Sequence, residues 1–223
     1  MVMNEMDYET AVKGDFKAKK IVKIDGVGVE LSKFYVHNTE EQRKAREKVG
    51  LPEEAFIMLY AADLSTRKNQ SMIFRALSRI KDTCPNVLVL MPGQPILLEK
   101  YKEQCEKLGI TSMVRFLGYR RDIPLLLTAT DCVISSSRQE GLPVNLIEAA
   151  ASGKYIIATD VRGNADVVKQ SGYGVLVDLD DDKAMAEAIQ NVCRKGISVK
   201  QDVSSISIYD AKNIVGKVLE LYE

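Results

Sequence analysis

The sequence holds a single histidine, His37, and four cysteines, Cys84, Cys105, Cys132 and Cys193, none at metal-ligand spacing. A zinc centre built on His and Cys is therefore not expected. The cysteines sit within apolar or helical patterns, as small buried hydrophobes do in a reducing compartment. Neither charge is in excess, with Lys plus Arg and Asp plus Glu at 31 each, and aromatic residues make up only 6%. Without a basic block or an aromatic surface, nucleic acid is not expected as a partner. No run approaches the roughly 18 apolar residues of a membrane span, and residues 1–7 lack the charged and apolar regions of a signal peptide. The expected location is cytoplasmic. Internal repeats and low-complexity segments are also lacking.

What is present is a regular alternation. Residues 55–61, 87–91, 114–117, 132–134 and 155–158 are apolar runs of strand length, of the kind that parallel strands covered on both faces require. Residues 172–177 read as a final strand or a hairpin arm. Between the runs lie helical patterns. The segment 40–48 is charged and stops at Gly50, and Met72, Ile73, Ala76, Leu77 and Ile80 follow helical spacing. Tyr101, Cys105 and Leu108 form a stripe ended by Gly109. Asp122 is placed to cap a short helix with Pro124 near its start and Leu125 to Leu127 inward, and residues 180–182 to cap one that buries Met185, Ala188, Ile189 and Val192. The expected fold is α/β, a Rossmann-like parallel sheet with helices on both faces. At the ends, residues 4–20 read as one short helix, 21–24 as a short strand and 207–222 as a final helix. The expected boundaries are a linker at 1–20, one large domain at 21–206 and a terminal helix at 207–223.

The alternation is organised around residues 135–153, where a strand passes through a polar loop into a segment with Pro143 as its first helical residue and Gly153 as its stop. In that register the amides of Val144, Asn145 and Leu146 lack helical partners and, with the positive end of the dipole, suit an anion such as a phosphate. Glu148 is four residues after Val144, on the same helix face. Glu140 precedes the helix, where it would repel a phosphate but accept hydrogen bonds from sugar hydroxyls. Two carboxylates bracketing an amide cluster suit a ligand hydroxylated at both ends and anionic in the middle, as a nucleotide diphosphate sugar is. Either glutamate taken alone is more simply read as dipole complementation or as a solvated side chain.

The stretch Glu140-Gly-Leu-Pro-Val-Asn-Leu-Ile-Glu148 closely resembles the two-glutamate signature of retaining glycosyltransferases of the glycogen synthase and sucrose synthase type, group 1, with the GT-B fold. The flanking segments 116–122 and 158–164 are similar to those of bacterial members that build capsular or exopolysaccharides. The resemblance implies a C-terminal, donor-binding half, because the segment 25–34, which in the family joins two Rossmann-like halves, lies close to this N-terminus. It further implies a transferase moving a sugar from a nucleotide diphosphate sugar to a glycan or lipid-linked acceptor, inactive as this half alone. No metal or other cofactor is expected.

The partners implied are a missing N-terminal domain or a separate subunit, with any peripheral membrane contact made through that half. By the same resemblance Lys68, Gly141, Leu142, Val144 and Asn145 hold the donor diphosphate, Glu148 the ribose, Glu140 the transferred sugar as the catalytic residue, and Gly118 and Tyr119 the base. Where the family commonly has a Gly-Arg pair this chain has Ala62-Asp63, which removes one cation. Arg67 reads as an ordinary exposed arginine rather than its substitute. Asp160 and Arg162 are candidates for the sugar end or simply members of a turn. The alternatives are a non-catalytic nucleotide-sugar-binding or scaffolding subunit and, more distantly, a sugar-nucleotide epimerase, which would need a general acid or base beside the sugar.

Overall fold

A computed structural model describes residues 1–14, 17–18, 20–196 and 202–221. Helix α1 (Glu5–Lys13) is capped by the Asn4 side chain, which accepts from Asp7 N, and stops at Gly14. The expected helix over 4–20 is thus shorter, and residues 15, 16 and 19 lie outside the described residues. The expected strand at 21–24 is only an isolated bridge between Val2 and Lys23. A second bridge, Val29 with Asp210, ties the incoming chain to the C-terminal stretch, so both bridges lie outside the main sheet.

The rest alternates as the apolar pattern requires. In chain order come α2 (Thr39–Lys48), β1 (Phe56–Leu59), α3 (Gln70–Ile80), β2 (Val87–Pro92), α4 (Leu98–Leu108), β3 (Val114–Gly118), α5 (Ile123–Ala129), β4 (Cys132–Ser135), α6 (Val144–Ala151), β5 (Tyr155–Thr159), α7 (Asn164–Ser171), β6 (Gly174–Val177) and α8 (Asp182–Lys195). All strand pairs are parallel, in the order β3-β2-β1-β4-β5-β6. β6 is consequently a parallel edge strand and not a hairpin arm. The expected C-terminal helix is divided: residues Val203–Tyr209 form a 3-10 segment, and Asp210 caps a separate α9 (Ala211–Leu219) through Lys212 N. Tyr222 lies outside the described residues.

Successive strand side chains point to opposite faces, which divides the core in two. Met58 and Tyr60 pack with α3, α4 and α8, whereas Ile57 and Leu59 pack with α2, α5, α6, α7 and the 3-10 segment. β1 and β4 are buried along almost their whole length. Their neighbours explain the continuous apolar runs, since each strand is covered by helices on both sides. The strand order reverses direction at β1, whose neighbours β2 and β4 lead the chain to opposite edges. Such a reversal leaves a crevice beyond the carboxyl ends of the two strands.

Candidate functional site

The crevice is a cleft of about 420 Å³ lined by residues from the loops after β1, β2, β3 and β4 and from the start of α6. It brings together Lys68, Tyr119, Glu140, Leu142, Val144, Asn145 and Glu148, which the sequence places far apart. Gly141 adjoins Glu140 in the same loop. Gly118 ends β3 in the left-handed region at φ +64°, and its carbonyl accepts from Gly93 N at 2.9 Å.

The helix that closes the cleft starts one residue later than its sequence suggests. Pro143 is the N-cap, with extended backbone, and Val144 is the first helical residue. The Pro143 carbonyl accepts from Leu146 N at 3.1 Å and from Ile147 N at 3.2 Å. Leu146 is therefore removed from the expected set of open amides. Those of Val144 and Asn145 have no acceptor among the described residues, and they carry the positive end of the dipole. Asn145 is fixed by its side chain, which donates to the Ala61 carbonyl at 3.2 Å.

Glu140 is buried at 7% exposure. Its carboxylate meets Lys68 Nζ at 2.5 Å and Arg67 at 3.5 Å. Arg67 is exposed, as the sequence suggests, but it also donates to the Gln139 carbonyl at 3.3 Å and lines the cleft. The backbone joins the same two loops, because Arg138 N donates to the Arg67 carbonyl at 2.9 Å. A third cation, Arg120, is committed to Asp122 through contacts of 2.7 and 2.5 Å. That pairing holds the Asp122 carboxyl below its usual range, and the Asp122 side chain does not cap α5 as expected.

Glu148 differs in every respect. No described residue donates to its carboxylate, and burial alone pushes its pKa up to about 7. A partly buried carboxylate without donors is an open acceptor facing the cleft.

Beneath these groups is a polar platform that the sequence shows only as three consecutive serines, Ser135 to Ser137, the first of which ends β4. The Tyr60 hydroxyl donates to the Lys68 carbonyl at 2.6 Å and lies 3.0 Å from Ser137 Oγ; burial pushes its pKa to about 12. Ser136 Oγ donates to the Asn69 carbonyl at 2.8 Å, and Thr159 Oγ1 to the Ser137 carbonyl at 2.6 Å. Asn69, itself at φ +53°, donates to Asp180, which Arg138 grips with both terminal nitrogens. Every buried hydroxyl in this set has a partner, so the loops carrying Lys68 and Glu140 are held from below.

Gly163 allows the loop after β5 to approach: a Cβ there would lie 2.4 Å from the Gly141 carbonyl oxygen, at φ +79°. Asn4 donates to that same carbonyl at 3.0 Å. Asp160 and Arg162 do not line the cleft. Asp160 is exposed, and Arg162 pairs with Asp7 of α1. His37 is also elsewhere, beside Tyr35 with ring centroids 4.1 Å apart. No group of three or more His, Cys, Asp or Glu able to hold a metal occurs among the described residues, and none of their helices is long and apolar enough to cross a membrane.

Comparison with known proteins follows the same outline. A family model described as "Glycosyl transferases group 1" matches residues 41–204. A putative glycosyltransferase, EpsD, of Bacillus subtilis is 32% identical over 195 residues, which are 87% of this chain and 51% of that protein. The Escherichia coli UDP-Gal:alpha-D-GlcNAc-diphosphoundecaprenol alpha-1,3-galactosyltransferase is 26% identical over 97% of this chain and 57% of its own. The chain thus spans little more than half the length of these relatives. Among solved structures, Anabaena Alr3699/HepE in complex with UDP and glucose superposes with a TM-score of 0.85 at 22% identity, covering 99% of this chain and 62% of that one. At that identity the likeness is one of fold, a Rossmann-like domain of the GT-B type.

Proposed function

The chain belongs to the glycosyl transferases group 1 family, and from that premise we propose that it binds the nucleotide diphosphate sugar donor of a glycosyltransferase of surface polysaccharide assembly. The observation that carries the proposal is the convergence of Lys68, Glu140, Glu148 and the open amides of Val144 and Asn145 on one cleft at the strand-order reversal. An anionic centre fits between Lys68 and the start of α6, and hydroxylated groups fit against each glutamate. In this reading Glu148 accepts from the ribose hydroxyls and Glu140 from the hydroxyls of the transferred sugar. Gly118 and Tyr119 border the base.

Charge that builds on the leaving diphosphate is met by Lys68 and the helix amides, already in place and fixed by the platform beneath them. Preorganised groups of this kind lower the barrier without reorganisation during the reaction. The acceptor is a glycan or a lipid-linked sugar, as the diphosphoundecaprenol in the Escherichia coli relative's name suggests. Transfer with retention and a site needing no metal are parts of the same proposal. So is a second domain, on the same or another polypeptide, that completes the cleft and carries the acceptor. Exposed Val215 and Leu219 on α9 offer it an apolar face. We place the nucleotide-sugar-binding domain of this chain at residues 21–206.

Calorimetric titration with UDP, GDP and ADP tests the proposal, with Glu148→Ala alongside. Saturable binding of one nucleotide, lost in the variant, is expected. Unchanged affinity in Glu148→Ala would remove Glu148 from the ribose role, and failure of all three nucleotides to bind would refute donor binding by this chain.

A further inference from the structure

Glu140 sits in the cleft as the counter-ion of two cations, and this arrangement bears on how any anion enters. Its carboxylate is 2.5 Å from Lys68 and 3.5 Å from Arg67, on a side chain with 8% exposure. The two cations are presented together because Lys68 N and Asn69 N both donate to the Ser65 carbonyl at 3.1 Å, while Arg138 N holds the Arg67 carbonyl. The other cleft cation, Arg120, is occupied by Asp122. Asp63 also lines the cleft, with one carboxylate oxygen accepting from Gln94 N at 2.9 Å. An incoming anion therefore finds its charge partners already neutralised by a protein carboxylate. It must compete for them.

We propose that Arg67 and Lys68 form a two-cation seat for the anionic centre of the ligand, and that Glu140 is its resident counter-ion, displaced when that anion arrives. The diphosphate takes over the ammonium and guanidinium, and the freed carboxylate turns to the hydroxyls beside it. No bond is made or broken in the exchange. Arg67 thereby becomes a ligand-binding residue, and it compensates for the acidic Asp63 on the same loop. Removing the negative charge of Glu140 should tighten binding of a free diphosphate, the opposite of what loss of an ordinary binding residue does. The identity of the ligand rests on the donor-binding reading, but the seat itself is testable without it.

The experiment is calorimetric titration of inorganic pyrophosphate into the unaltered chain, Glu140→Gln and Arg67→Ala, with folding checked by circular dichroism and UDP, GDP and ADP run in parallel. Pyrophosphate should bind Glu140→Gln about tenfold more tightly and Arg67→Ala about tenfold more weakly, changes of the size of one charge-assisted hydrogen bond. Equal or weaker binding to Glu140→Gln, unchanged binding to Arg67→Ala, or no pyrophosphate binding to the unaltered chain or to Glu140→Gln would overturn the inference. Should Glu140→Gln fail to fold, Arg67→Ala decides alone, since its side chain is 57% exposed and carries little of the fold. The expected order for pyrophosphate with no binding of any nucleotide would uphold the seat and refute the donor.

Discussion

Replacing Glu148 by Gln should stabilise the folded chain above neutral pH and leave it unchanged in acid. The carboxylate receives no hydrogen bond from a described residue, and burial moves its pKa from 4.5 to about 7. At about 1.36 kcal/mol per pKa unit, a shift of that size amounts to about 3 kcal/mol of penalty on the ionised form. Below the unfolded pKa both states are protonated and the penalty is absent. As pH rises through the window from 4.5 to about 7 the unfolded chain ionises first, so the unfolded state binds fewer protons and stability falls. Above the folded pKa both states are ionised and the full penalty remains. The glutamine of Glu148→Gln does not titrate, so the variant's advantage should be near zero at about pH 4 and reach about 3 kcal/mol by about pH 8. For a domain of this size that corresponds to a Tm higher by about 6–12 °C. Thermal and urea unfolding of both proteins from about pH 4 to about pH 8.5 measures the difference. A difference that stays flat with pH, or a variant less stable than the unaltered chain in mild alkali, would refute the assignment of a desolvated, donor-free carboxylate. Ligand hydroxyls that donate to the ionised form should also make nucleotide affinity fall as pH drops below about 7.

Two further perturbations probe the frame around the cleft. Gly163→Ala places a methyl 2.4 Å from the Gly141 carbonyl at φ +79°; it should cost about 2 kcal/mol or more in denaturant unfolding and weaken nucleotide binding by shifting the loop before α6. Asp131→Ala removes the one carboxylate that Arg46 meets among the described residues; Arg46 is 8% exposed, bonded to Asp131 at 2.8 and 2.7 Å, and otherwise donates to backbone carbonyls such as that of Ala129. It also takes the acceptor from Ile57 N at the start of β1. A loss of about 3 kcal/mol is expected, partly recovered by adding Arg46→Met. An unchanged unfolding midpoint in either variant would contradict the corresponding contact.

Much of the fold and the site was legible in the sequence because it depends on near neighbours. Strand and helix periods are local, so β1 to β6 fall on their apolar runs and Met72, Ile73, Ala76, Leu77 and Ile80 are all buried. The seven residues between Glu140 and Glu148 likewise fix their relation across a loop and one helical turn. The terminal segments are less legible. The run at 21–24 has strand composition, but its partner is Val2 and not the sheet, and Asp210 divides the last helix through a capping bond that apolar spacing does not register. Pro143 fits the first helical position as well as the cap beside it, and only its extended backbone distinguishes them.

By itself the sequence determined an α/β alternation, the loop and helix that carry the two glutamates, and the family to which they belong. Tertiary structure decided where those loops meet. Strand order arises from pairings between residues far apart in the chain, and the reversal at β1 sets the Lys68 loop against the Glu140 loop. The same juxtaposition turned Arg67 into the cleft and paired Asp122 with Arg120, while Arg162 went to α1. Charged side chains reach several ångströms and choose among partners by position, so their pairing follows the fold and not the local pattern. Burial did the same for Glu148: its environment, not its residue type, raised its pKa to about 7 and left it an open acceptor.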